Sequence, residues 1–254
     1  MNNLITEDLI GIAIIGSMML LMVILSLPKN LAKRIILGDI RSLQKYKKAI
    51  NNSIEDGKHI HVSLGHANLL SPNNASSFIG LSMLDNIIKL GIKSDRPPLA
   101  TSGDGTLAIL SRDTMKAASQ EVNAYTHYSP HRAYMSGATP YSYMIGTLPI
   151  VQNHNVSTNN LIGFFSPEAG YLGMTAHQHS TYMIAGTESL PTQAVMLGTT
   201  QDTLLGEEIF GMPAYLFGRP IDVVSLKTQD AIRWILIIFI VFSILIKIIS
   251  GLMG

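Results

Sequence analysis

The sequence predicts an α/β domain, a mostly parallel sheet covered by helices, held between two transmembrane helices. Three observations carry that expectation. Residues 9–27, LIGIAIIGSMMLLMVILSL, run for 19 positions without a charge. As a helix they span about 28 Å, close to the hydrocarbon thickness of a bilayer. A second apolar run, WILIIFIVFSILI at 234–246, lies near the other end of the chain. Between the two, short apolar runs alternate with Gly- and Ser-rich turns and helical patterns, the order that builds a parallel sheet.

Composition narrows the classes available. Charged residues make up 14% of the 254 residues, against about 25% in an ordinary globular chain, and the two apolar runs account for part of the deficit. What remains is long enough for one domain with its own core. The absence of cysteine excludes disulfides and thiolate metal sites. The net charge of +1 conceals an asymmetry. Residues 29–48 carry seven basic groups against one acid, whereas residues 51–230 carry nine against fourteen. A domain with that balance and no basic face is not expected to bind nucleic acid. The basic segment 29–48 is expected on anionic lipid headgroups.

The same charges orient the chain. MNNLITED, ahead of the first apolar run, holds two acids and no Lys or Arg, and the basic segment follows that run. Positive-inside logic therefore predicts a two-pass protein of the cell membrane, its domain cytoplasmic and both termini outside. The spans are expected at 8–28 and 231–251. A cleaved signal peptide would need a basic start and small residues at a cleavage site. The acidic start and Ser26-Leu27-Pro28-Lys29 argue against one. At the second run, Arg233 and Trp234 suit an interface and Lys247 can snorkel outward. Its uncharged core is only 13 residues, which leaves a re-entrant or interfacial helix as the alternative.

Taken in order, residues 29–50 read as a basic amphipathic juxtamembrane helix. Leu31, Ile35, Ile36, Ile40, Leu43, Tyr46 and Ile50 share its apolar face, which either packs on the following domain or lies in the headgroup plane. The α/β domain is expected at 51–227. A strand at 59–64 alternates polar and apolar residues and ends at Gly65. A helix at 78–92 follows, then a strand at 97–102, the Gly103-Asp104-Gly105 turn and a helix at 106–122. Next come a strand at 132–136, a helix at 141–151 despite Gly146 and Pro149, and a strand at 160–166. Pro167-Glu168 suits the start of a helix reaching 179. Strands at 182–187 and 193–199 and a last helix at 203–217 complete the pattern, with no linker and no repeat. The arrangement is Rossmann-like.

HVSLG at 61–65, PPLATSGDGTL at 97–107 and GEEIFGMPAYL at 206–216, set between two apolar ends, resemble a prokaryotic family of two-span membrane proteins described only as a domain of unknown function. The resemblance covers nearly the whole chain. It implies the architecture and supplies no activity and no catalytic residues.

In an open parallel sheet, ligands bind where the strand C-termini open into loops. The candidate ligand-binding residues in those loops are Gly65, His66, Ser102, Gly103, Asp104, Gly105, Thr106, Ser166, Glu168 and Thr187. Residues 103–108, GDGTLA, fit the loosest form of the dinucleotide fingerprint, with Glu121 some 18 residues on. Yet Asp104 stands where a pyrophosphate needs neutral or positive surroundings, and the motif follows the second strand. A tight turn with Asp104 capping the helix is the simpler reading.

His127 and His131 are separated by Pro130, and His177 and His179 would point to different sides of a helix, so no metal is expected. Glu207 and Glu208 are adjacent and do not face each other. Ser63, Ser102, Ser136 and Ser166 lack the G-x-S-x-G elbow, and no P-loop occurs. Arg132 and Arg219 could hold an anion, but isolated arginines more often make salt bridges. No catalytic set and no cofactor are expected.

The expected function is therefore a membrane-anchored structural or assembly protein, whose cytoplasmic domain self-associates or docks partners at the inner membrane face. Fixed orientation and a charge-poor surface favour lateral association, and Gly11, Gly16 and Ser17 offer close helix contact in the first span. The expected partners are the lipid bilayer and further copies of the chain or a membrane complex. The alternative is a membrane-tethered enzyme or a sensor of small molecules or nucleotides, using the strand-end loops. A channel would need a large oligomer, since neither span is charged at its centre.

Overall fold

The computed structural model describes residues 11, 15–20, 22–24, 41–68 and 74–253. The chain divides into two compact units, residues 39–217 and residues 1–38 with 218–254. The first unit is the α/β body. It begins with α1 (Arg41–Glu55), followed by β1 (His59–Gly65), α2 (Ala75–Gly91), β2 (Leu99–Ser102), α3 (Gly105–Glu121), β3 (Ala133–Met135) and α4 (Pro140–Val151). It continues with β4 (Val156–Phe164), α5 (Gly170–Gln178), β5 (Tyr182–Gly186), α6 (Leu190–Thr199), β6 (Asp202–Leu204) and α7 (Glu208–Phe217).

All six strands pair in parallel, in the order β3-β2-β1-β4-β5-β6. Parallel neighbours need a crossover, and each crossover here is a helix laid on one face. On one face Ile60, Val62 and Leu64 of β1 meet Leu84, Ile87 and Ile88 of α2, Met115 of α3, Tyr46 of α1 and Met212 of α7. On the other, Leu161 and Phe165 meet Tyr143 of α4, Leu172 and Ala176 of α5 and Met196 of α6. The chain changes face between β3 and β4, so the layers are helix, sheet, helix.

Local chemistry sets the helix starts. The Asp104 carboxylate accepts the amides of Thr106 (2.9 Å) and Leu107 (3.1 Å), capping α3. Thr139 and Ser142 form a capping box ahead of α4, with Pro140 in its first turn. In α1, Leu43, Tyr46, Ile50 and Ser53 are buried at helical spacing. This apolar face packs on β1 and β4, Ser53 Oγ lying 2.7 Å from Thr158 Oγ1.

Three segments of the body differ from their sequence reading. The strand expected at 160–166 is β4, Val156–Phe164, whose polar first half, VSTN, pairs with β1 from His59 onward. Residues 193–199 belong to α6 rather than to a strand: Pro191 opens the helix, and Thr192, Gln193 and Met196 turn inward at helical spacing. The expected helix at 203–217 divides into edge strand β6 and α7, and Gly206, at φ 56°, makes the turn between them.

The second unit corrects a larger expectation. Its C-terminal helix, α8 (Pro220–Met253), contains the run expected to span at 231–251. Among the described residues, no helix is long and apolar enough to cross a membrane. Asp222, Lys227, Asp230 and Arg233 occupy the first part of α8 and leave 13 uncharged residues at 234–246, about 20 Å against the ~30 Å of a hydrocarbon core. The flanking transmembrane helices are therefore not supported. Neither is the two-pass placement in the cell membrane, with a cytoplasmic domain and both termini outside. The expected span at 8–28 lies mostly outside the described residues; within it only residues 11, 15–20 and 22–24 are described, and these are helical. Residues 29–40 of the basic segment lie wholly outside them.

Candidate functional site

β1 and β4 are adjacent in the sheet, but their chains leave toward opposite faces, β1 toward α2 and β4 toward α5. Such a switch point opens a crevice beyond the strand C-termini. Gly65 ends β1 at φ +77°, and a Cβ there would stand 2.2 Å from the Phe164 carbonyl oxygen. Only glycine fits that turn. The Gly103 amide donates to the Gly65 carbonyl at 2.8 Å, and the His66 amide donates to Phe164 at 3.0 Å. A Cβ on Gly103 would come within 2.5 Å of the His66 Cβ. The backbone of three strands thus fixes where the His66 ring can stand.

That ring lies edge-on to Phe164 (centroids 5.6 Å apart) and to Tyr143 (6.4 Å). Its Nε2 is 3.1 Å from Ser166 Oγ, across 100 residues of sequence. Ser166 precedes the short helical turn Pro167–Ala169 that leads into α5, and its hydroxyl makes no cap bond to that turn. Glu168 lies close enough to act on His66 through space, and its Oε1 is buried with no hydrogen-bond partner among the described residues. Burial holds the His66 imidazole below its ordinary pKa, while the Glu168 carboxylate and the histidine's own backbone oppose that shift. The ring is therefore neutral at pH 7.

The predicted site residues separate into three groups. Gly65, His66, Gly103, Ser166 and Glu168 converge at the switch point. Ser102, Asp104, Gly105 and Thr106 build the start of α3, with Ser102 Oγ donating to the Asp104 carbonyl at 3.3 Å and Asp104 acting as the cap. Thr187 is buried, and its Oγ1 accepts the Phe165 amide at 3.3 Å, tying the end of β5 to the end of β4.

Two residues at the mouth lie outside the predicted set. Ser76 Oγ, in the first turn of α2, donates to Glu188 Oε1 at 3.3 Å. The helix that follows β1, whose N-terminus receives a phosphate in dinucleotide-binding folds, therefore faces a carboxylate. Glu188 sits in a strand-end loop that the sequence marks, whereas nothing in the sequence pairs it with Ser76.

Below the crevice, the α4 face of the sheet carries a buried polar chain. Ser63 Oγ lies 2.5 Å from Tyr143 Oη, which lies 3.3 Å from Thr101 Oγ1. His61 Nε2 is 2.9 Å from the same Thr101 oxygen, and its Nδ1 is 3.0 Å from Asn159 Oδ1. Asn159 Nδ2 then donates to Thr181 Oγ1 at 3.3 Å. Burial lowers the His61 pKa to about 4, opposed by the bond to Asn159. Each member partners another, which makes burial tolerable.

Elsewhere the polar residues have local roles. Arg132 donates to the His127 carbonyl at 2.7 Å, and Arg219 pairs with Asp222 at 2.7 Å. Glu208 accepts the Leu205 amide at 3.0 Å at the start of α7. Among the described residues, no group of three His, Asp or Glu side chains could hold a metal ion. A concavity lined by Met174, His177, Thr199 and Gln201 lies between the C-terminal ends of α5 and α6. In a parallel sheet that is the strand N-terminal end, opposite the crevice.

A six-stranded parallel sheet in 3-2-1-4-5-6 order, with its switch point between β1 and β4, defines a Rossmann-like α/β protein. Within that class the chain belongs to the family described as Domain of unknown function (DUF6754), whose model matches residues 2–254. No curated protein and no solved structure matches the chain.

Proposed function

We propose that the α/β body binds a small neutral or cationic molecule in the crevice between the ends of β1 and β4. The observation that carries this reading is the convergence of His66, Ser166, Gly103 and Glu168 on one switch point from three different strands. The charge preference follows from the carboxylates. Asp104 fills the N-terminus of α3, Glu188 faces that of α2, and Glu168 stands beside His66. Both helix termini that would take a phosphate are thus already met by acids, which disfavours a nucleotide.

Thermal shift of the full chain against compounds sorted by charge tests the proposal. Nucleosides, polyols or amines are expected to raise the melting temperature, whereas inorganic phosphate, ATP and NAD leave it unchanged. Stabilisation by the anions alone would overturn it.

Self-association is a second reading. It is favoured by Tyr171 and Met174 on α5 and Leu190 and Leu197 on α6, which stand 51–74% exposed on neighbouring helices. Sedimentation of the full chain with Leu190→Glu and Leu197→Glu, against wild type, distinguishes an oligomer built on this face from a monomer.

A further inference from the structure

We propose that Ser166 is an acyl acceptor, with His66 as its base, and that the ligand of the crevice is a neutral or cationic ester. This rests on the small-molecule reading above and adds a reaction to it. A serine just ahead of a helix ordinarily turns its hydroxyl onto the helix's own amides. Ser166 instead lies 3.1 Å from His66 Nε2 and leaves its own turn uncapped. Among the described residues, the one hydrogen bond of the His66 ring is that to Ser166. With the proton on Nδ1, the Nε2 lone pair accepts the serine hydroxyl, the arrangement that activates a nucleophile. Glu168 adds the third element. Its buried, unpartnered oxygen has no structural task among the described residues, and its charge stabilises the imidazolium that forms as the proton moves. His66, Ser166 and Glu168 are all half-buried, so the groups are drawn partly out of water while remaining reachable.

The chemistry balances as an ester hydrolysis. The Ser166 Oγ proton passes to His66 Nε2 as Oγ bonds to the carbonyl carbon and the carbonyl π electrons move onto oxygen. When that pair returns, the bond to the alkoxy oxygen breaks, and the alcohol leaves with the proton held by His66. Water then attacks the acyl–Oγ ester and gives His66 a proton. As the acyl–Oγ bond breaks, that proton returns to Ser166 and the carboxylic acid departs. Ester and water are consumed; acid and alcohol are formed.

A fluorophosphonate probe reads the first half of this sequence, because Oγ attack on phosphorus expels fluoride while His66 takes the proton. Full chain incubated with the probe is expected to gain a single adduct, mapped by peptide mass to Ser166. Ser166→Ala should lose it, and His66→Gln should slow it about 10²-fold or more. Ser102→Ala, at the buried end of β2, where the hydroxyl donates to the Asp104 carbonyl, should label like wild type. Labelling should rise with pH with a midpoint below 6.5, and Glu168→Gln should move that midpoint lower still, because the anion that favours the imidazolium is gone. Wild type that takes no adduct, or an adduct that survives in Ser166→Ala, overturns the proposal. If the neutral or cationic compounds stabilise a chain that takes no adduct, the chemistry is wrong and the binding reading survives. If they fail to stabilise it and no adduct forms, both fall.

Discussion

His61 and His66 leave the same strand five residues apart and meet opposite fates. His61 points into the α4 face, wholly buried, with both ring nitrogens in hydrogen bonds to Thr101 and Asn159. His66 stands half-buried past the end of the strand, with Ser166 on one nitrogen and a partnerless carboxylate oxygen nearby. Burial lowers both pKa values. What separates them is the surroundings: the first ring closes a network, whereas the second leaves one open. A buried histidine that is fully partnered holds the sheet together, and one at a switch point with groups to spare has chemistry left to perform.

The strongest way to break this contrast is to remove the turn between the two rings. Gly65→Ala places a Cβ 2.2 Å from the Phe164 oxygen at φ +77°. It should cost several kcal/mol, enough to prevent folding of a marginally stable domain, as urea unfolding or loss of soluble protein would show. His61→Leu comes next. It leaves Thr101 and Asn159 short of a buried partner and should cost about 3 kcal/mol, with little effect on labelling at Ser166.

Acid sharpens the same point. The native state binds a proton at His61 more weakly than the unfolded chain does. The stability this confers is complete above pH 6.5, falls as the pH drops, and is fully lost below about 4, in total about 3 kcal/mol. Urea midpoints measured from pH 7 to 4 should show that slope in wild type and a flatter one in His61→Leu.

Ser166→Ala should change stability by less than about 1 kcal/mol, because the hydroxyl caps no helix, while abolishing the adduct. Tyr46→Phe has the smallest expected effect. The Tyr46 hydroxyl is buried without a hydrogen-bond partner among the described residues. Its removal should be neutral or stabilising by up to ~1 kcal/mol in the same unfolding assay.

β1, β2, β3, β5 and most helices are legible because their turns carry Gly, Asp or Pro, whereas the polar first half of β4, VSTN, is not. The run at 193–199 misleads because seven apolar-rich residues suit a strand or a buried helix equally, and length does not arbitrate. β6 is three residues long and hides in front of a helical pattern. The alternation in HIHVSL puts its polar side chains on one face, and because that face is covered they find partners on β2, β4 and α4 that are remote in sequence. The apolar run at 234–246 has the composition of a span, but its 13 uncharged residues make only about 20 Å of helix, short of the ~30 Å of a hydrocarbon core.

At the site, Gly65, His66 and Gly103 were readable as strand-end residues. That β1 lies beside β4 was not, because strand order depends on which face each crossover helix takes. The pairing of His66 with Ser166 follows from that order alone.

Crystallographic fragment screening of the full chain with neutral and cationic compounds tests the central claim most directly. Fragments are predicted to gather in the β1/β4 crevice, against the His66 ring and the Ser166 hydroxyl. Fragments that collect instead between the C-terminal ends of α5 and α6, leaving the crevice empty, would contradict it.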